Sequence, residues 1–213
     1  MTPAIILPPV LFGNIFWYSH LLRGAEVWVN EPYRKQTLRN RIEICGPQGR
    51  LPITFPVNCR GQEYPPQDQI PVVFEPKMRI RHVRTLRTSY GSAPFYIHYI
   101  DALEDFIMTR TDNLLELNLK SHDTMRWALP ELPALCLTHL MPGLDTKDIT
   151  GCFKTSKKEF ITLPYAQVFE HKFGYLANLS IIDALMHLGP QTTDYLKNTP
   201  LSSLSDQQIQ TET

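Results

Sequence analysis

The chain has 213 residues, 43% hydrophobic and 20% charged, and its 21 Lys/Arg balance 21 Asp/Glu. That length supports one sizeable core, and a neutral total argues against a nonspecific nucleic-acid binder, which would be basic overall. No run approaches the ~20 apolar residues of a membrane span, and Cys45, Cys59, Cys136 and Cys152 form no CxxC and no disulfide framework, so the expected location is the cytoplasm.

The first residues, M-T-P-A-I-I-L-P-P, lack the charged region and long apolar core of a secretory signal. Ala4–Leu7 reads instead as a short strand stopped by Pro8-Pro9. Asn14 is placed to cap a helix over Ile15–Leu22, Gly24 closes it, and Glu26–Val29 resumes as a strand. Strand, helix, strand is a βαβ start, whose helix N-terminus is a natural anion site. Neither G-x-G-x-x-G nor the Lys-Ser/Thr of a P-loop is present.

Tyr33–Arg41 follows as Y-R-K-Q-T-L-R-N-R, with Arg34, Lys35, Arg39 and Arg41 and no acid among them. Arg offers a planar fork of donors that fits carboxylate or phosphate, Lys a compact charge, and the amides between them suit a polyoxygenated anion. A solvated basic loop edge is the bland alternative. The stretch leads into Ile42–Cys45, G-P-Q-G and Leu51–Val57, a hairpin that would carry the cluster at its mouth. Residues 1–100 hold 12 Lys/Arg and 6 Asp/Glu, a balance of +6, and the remaining 9 and 15 give residues 101–213 a balance of −6. The anion-facing surface is therefore expected in the first half.

Arg60–Ile70 is expected to be a loop and Val72–Phe74 a short strand. Lys77–Tyr90 reads as a helix with Lys77, Arg81, Arg84 and Thr88 on one face and Ile80, Val83 and Leu86 on an apolar one. Helices over Phe95 to Met108 and Leu114–Leu129 come next, and Ala134–Leu140 is a candidate buried strand. Lys154, Lys157 and Lys158 read as solvated. Tyr165–Phe169 alternates weakly, and His171–Gly174 is a turn. Ser180 caps the last clear helix, with Asp183 in the acidic position of a capping box and Gly189-Pro190 as its stop. These elements make an α/β fold: an N-terminal mixed sheet begun by a βαβ-like unit and a hairpin, then a helical C-terminal half. One domain spans residues 1–196, and 197–213 is a polar tail expected to be flexible.

Four separated stretches, in order, resemble the WbqC-like protein family of bacteria in its Bacteroidetes-type form. They are Y-R-K-Q-T-L-R-N-R at 33–41, S-Y-G-S-A-P-F-Y at 89–96, Y-A-Q-V-F at 165–169 and F-G-Y-L-A-N-L-S-I-I-D-A-L at 173–185. The matching positions are Lys35, Asn40, Arg41, Tyr90, Pro94, Gln167, Phe169, Leu179, Ser180 and Asp183. Many members begin Q-P-x-Y-x-P where this chain has L-P-P-V-L-F-G, so a contact made there by the Gln and Tyr would differ here. The resemblance implies a place among proteins encoded with surface-polysaccharide genes such as those for O-antigen, and it defines no reaction.

Catalytic templates are sparse. His82, His98, His122, His139, His171 and His187 form no H-E-x-x-H set with the cysteines or carboxylates, so no metal site and no cofactor is expected. A Cys–His pair is available by count, but no spacing locates one. Ser180 and Asp183 are explained by helix capping unless Asp183 acts as a base. The functional expectation is a transferase acting on activated sugars or their acyl donors. Lys35, Arg39, Asn40 and Arg41 would hold phosphate or carboxylate, and Tyr90, Gln167 and Ser180 would line the substrate site beside Asp183. Its partners would be an anionic small molecule such as a nucleotide-sugar and enzymes of the polysaccharide pathway, without nucleic acid. The alternative is a noncatalytic binding or assembly protein of that machinery.

Overall fold

The structure, a computed structural model, describes residues 4–59, 65–139, 143, 146–149, 153 and 162–201. β1 (Ala4–Leu7), α1 (Ile15–Leu21) and β2 (Glu26–Trp28) form the expected βαβ unit, with the strands parallel in the register Ile6↔Glu26 and Leu7↔Val27. β3 (Arg41–Gly46) and β4 (Gly49–Thr54) pair antiparallel around Pro47-Gln48. Gly49 takes φ +98, a conformation that glycine adopts without steric penalty. β5 (Leu137–Thr138) and β6 (Thr146–Asp148) join the first two strands in an all-parallel sheet ordered β5-β2-β1-β6, and the hairpin is a separate two-stranded sheet. Parallel and antiparallel pairing thus both occur, divided between two sheets. Leu7 and Val27 are fully buried, as a parallel sheet covered by helices requires.

The helices are α2 (Pro76–Tyr90), α3 (Tyr96–Met108), α4 (Leu114–Ala128), the single turn α5 (Glu170–Phe173), α6 (Ile181–Leu188) and α7 (Thr192–Asn198). One core joins α1, the sheet and the inner faces of the hairpin, α2, α3, α4 and α6. α2 corrects the expected apolar face. Ile80 is 44% exposed, whereas Arg79 and His82 are buried beside Leu86. The reason is that Arg79 lays its guanidinium over the rings of Phe55, 4.4 Å away, and Phe74, 5.2 Å away.

Of the expected run Ala134–Leu140, the described residues 134–139 contribute only β5, at a sheet edge with Leu137 44% exposed, so they are not a buried strand. Val72 makes a lone bridge to Val57, and Tyr165–Phe169 pairs with no strand among the described residues. Lys154, Lys157, Lys158 and Cys152 lie outside the described residues. α7 runs past the expected boundary at 196, and Arg23 donates to the carbonyls of Lys197 and Thr199 at 2.7 and 2.9 Å.

Candidate functional site

At the mouth of the hairpin the basic stretch divides into inward and outward side chains. Arg39 is fully buried and makes a two-pronged pair with Glu31, Nε to Oε2 at 2.7 Å and Nη2 to Oε1. Gln67 supports Glu31 at 3.5 Å and is in turn held by Asn118 at 2.7 Å. Arg39 therefore faces a carboxylate of its own chain. Asn40 donates through Nδ2 to the carbonyl of Phe55 at 2.8 Å and accepts from the Tyr33 hydroxyl at 3.2 Å, so it braces the base of the hairpin.

Arg41 is half-buried and uses Nε on Thr54 Oγ1 at 3.1 Å. Lys35 is exposed. Neither Arg41 nor Lys35 has a carboxylate within 4.0 Å among the described residues. Burial, with Cys59 adding, raises the Tyr33 phenol against the opposing pull of Arg39 and Arg41. Burial likewise raises the Cys59 thiol against the pull of Lys35. Arg41 thus acts electrostatically on Tyr33, and Lys35 on Cys59.

Tyr90, Gln167, Ser180 and Asp183 assemble elsewhere, at the far end of β3. Asp183 is fully buried. Its Oδ2 accepts from Tyr90 at 2.9 Å, and its Oδ1 accepts from Tyr165 at 2.7 Å and from Gln167 Nε2 at 3.0 Å. Burial, with Asp183 adding to it, raises both phenols well above the ordinary value, so both stay protonated donors.

His187, one turn along α6, donates from Nδ1 to the Asp183 carbonyl at 2.7 Å and accepts the Val168 N–H on Nε2 at 3.0 Å, which defines a neutral tautomer. Burial opposes a charge on this ring, but contact with Asp183 outweighs it and raises the pKa. Protonation would still cost the Val168 bond.

Cys45 completes the cluster. Burial and then Asp183 push its thiol up to about 11, so it is a poor nucleophile in this state.

Ser180 does cap α6, its Oγ accepting from Ile182 N at 3.3 Å and donating to the Phe12 carbonyl at 2.7 Å. The capping box is only half formed, because Ser180 N–H donates to the Glu43 carbonyl at 2.8 Å and Asp183 turns to the tyrosines. The anion site expected at the head of α1 is filled by the protein itself. Ile15 N–H donates to the Leu179 carbonyl, Phe16 N–H to Asn178 Oδ1 and Trp17 N–H to Asn14 Oδ1, at 3.0, 2.9 and 2.9 Å.

The candidate residues therefore divide, with Arg39, Asn40 and Arg41 at the start of β3, Tyr90, Gln167 and Asp183 towards its end near Cys45, and Ser180 on Glu43 between them. Arg41 to Cys45 is four residues, about 14 Å at the rise of a strand. Sequence reasoning missed Glu31, Tyr165, His187 and Cys45 as members of these groups. Tyr165 had a signal, since it opens the same Y-A-Q-V-F stretch as Gln167, and His187 had one at i+4 from Asp183.

Over half of the chain, residues 18–130, matches the WbqC-like protein family. The chain belongs to that family. The matched span contains Lys35, Arg39, Asn40, Arg41 and Tyr90, while Gln167, Ser180 and Asp183 lie beyond it. In this WbqC-like protein the Tyr90–Asp183 bond joins the matched span to α6. No curated protein and no solved structure matches it. No helix among the described residues is long and apolar enough to cross a membrane.

Proposed function

We propose that this WbqC-like protein holds the anionic part of an activated sugar, or of its acyl donor, between Lys35 and Arg41, as a transferase of surface-polysaccharide (O-antigen type) assembly. The observation that carries the binding half is that Lys35, exposed, and Arg41, half-buried, have no carboxylate partner within 4.0 Å among the described residues. Asn40, tied to Phe55, keeps the adjoining Arg41 in place. The polysaccharide setting and its partner enzymes rest on family resemblance. The unbridged thiols of Cys45, Cys59 and Cys136 suit a reducing compartment, the cytoplasm.

The noncatalytic reading has a specific observation in its favour. Both oxygens of Asp183 already accept from three donors, and Asp183 sits at the end of β3 away from the cations. Calorimetry with nucleotide-sugars and a neutral monosaccharide tests binding. The phosphorylated ligands should bind more tightly, and Arg41→Ala should weaken them by about 1.5–3 kcal/mol if the contact is buried. No heat from any phosphorylated ligand, or equal affinity in a well-folded Arg41→Ala protein, would sink the site. Release of free nucleotide with candidate acceptors separates transferase from binding protein.

A further inference from the structure

Arg79 is 1% exposed, and its guanidinium is only partly answered by the chain. Nη1 donates to the carbonyl of Ile107 in the last turn of α3 at 3.1 Å, where the helix dipole contributes about half a negative charge. Nε and Nη2 are buried and have no hydrogen-bond partner among the described residues. Those two nitrogens form the edge with which an arginine grips a carboxylate side-on. The same chain uses that edge twice, Arg39 on Glu31 and Arg87 on Glu104.

The surroundings add positive charge. Arg110 lies 4.6 Å over the ring of Phe74, which Arg79 also faces. His82 packs on Phe55 at 5.1 Å with a buried Nδ1 that has no partner among the described residues. Burial first, and then Arg79 and Arg81, push this imidazole down to about 4. The acid nearest in the chain, Glu75 at the N-cap of α2, is exposed and forms no ion pair with Arg79. A buried guanidinium without an anion is costly.

We propose that Arg79 is the floor of a second anion site, separate from Lys35 and Arg41, which takes two oxygens of a carboxylate or phosphate on its Nε–Nη2 edge. Phe55 and Phe74 form flat apolar walls, Arg110 stands at the exposed rim, and His82 Nδ1 is a further donor. Phe74 is half-buried beside Val73, 43% exposed, so the wall it forms reaches the surface.

The test titrates inorganic phosphate and, separately, acetate into the full chain. It follows the Arg79 Nε–H resonance, assigned through its own backbone, together with the heat of binding. A saturable movement of that resonance is expected, retained in Arg41→Ala. The affinity should fall roughly tenfold or more in Arg79→Lys, which keeps the charge and loses the fork. Tighter phosphate binding assigns the site to a phosphorylated ligand, and tighter acetate binding to a carboxylate. The proposal is overturned if neither anion moves the resonance, or if Arg41→Ala abolishes the response. It is also overturned if Glu75→Gln shifts the resonance without added anion, which would make Glu75 its partner. Should Arg79→Lys fail to fold, the wild-type titration decides alone.

Discussion

Asp183 has the composition of a catalytic base and the surroundings of a keystone. A base needs a lone pair directed at substrate, whereas this carboxylate accepts from Tyr90, Tyr165 and Gln167 inside the core. The donors come from two distant parts of the chain, Tyr90 from the end of α2 and Tyr165 and Gln167 from the segment before α5. Replacing Asp183 by Asn keeps the shape but leaves one position a donor facing donors. Hydrogen bonds to charged groups contribute about 1.5–3 kcal/mol each and are not additive, so Asp183→Asn should cost roughly 3 kcal/mol or more in urea unfolding. An Asn variant that unfolds like wild type yet loses activity would instead make Asp183 a catalytic residue.

Between elements, the heads of α1 and α6 cap one another. Ile15 N–H donates to the Leu179 carbonyl and Ile181 N–H to the Gly13 carbonyl, at 3.0 and 2.9 Å, around a bridge between Asn14 and Ser180. Helix starts leave N–H groups without intrahelical partners, and here each helix is answered by the turn that precedes the other. Asn178 supports this twice, by accepting from Phe16 N–H and by taking φ +53, which Asn tolerates better than most residues. Asn178→Gly should lose the cap alone, about 1 kcal/mol. Asn178→Ala should lose the cap and add a left-handed backbone penalty of about 1–2 kcal/mol. Thermal melts of the two variants check the order, and an alanine variant as stable as the glycine one would contradict the backbone part.

At the scale of the molecule, the family match ends at residue 130, but the core does not. β5 and β6 both follow that point and flank β2 and β1 in the sheet. Ile181, Ile182, Leu185 and Met186 on α6 are all fully buried. At about 1.5–3 kcal/mol each, their burial is comparable with a whole-domain stability of about 5–15 kcal/mol. Residues 1–130 expressed alone should therefore show no cooperative urea transition by circular dichroism. A sharp transition would establish the matched span as an independent unit.

What the sequence by itself determined was local. Asn14 and Ser180 as caps, the hairpin turn at Pro47-Gln48 and the helices from Pro76, Tyr96 and Leu114 follow from capping, turn chemistry and period, which act within a few residues. Tertiary structure decided which polar groups meet. Arg39 and Arg41 are two residues apart, yet one is buried on Glu31 and the other, half-buried, reaches Thr54. Ile80 and Arg79 exchange the places their hydropathy assigned them, because the rings of Phe55 and Phe74 cover the guanidinium face of Arg79. Asp183 finds Tyr90 across 93 positions of chain. Such pairings depend on distances set by packing, and no local spacing encodes them.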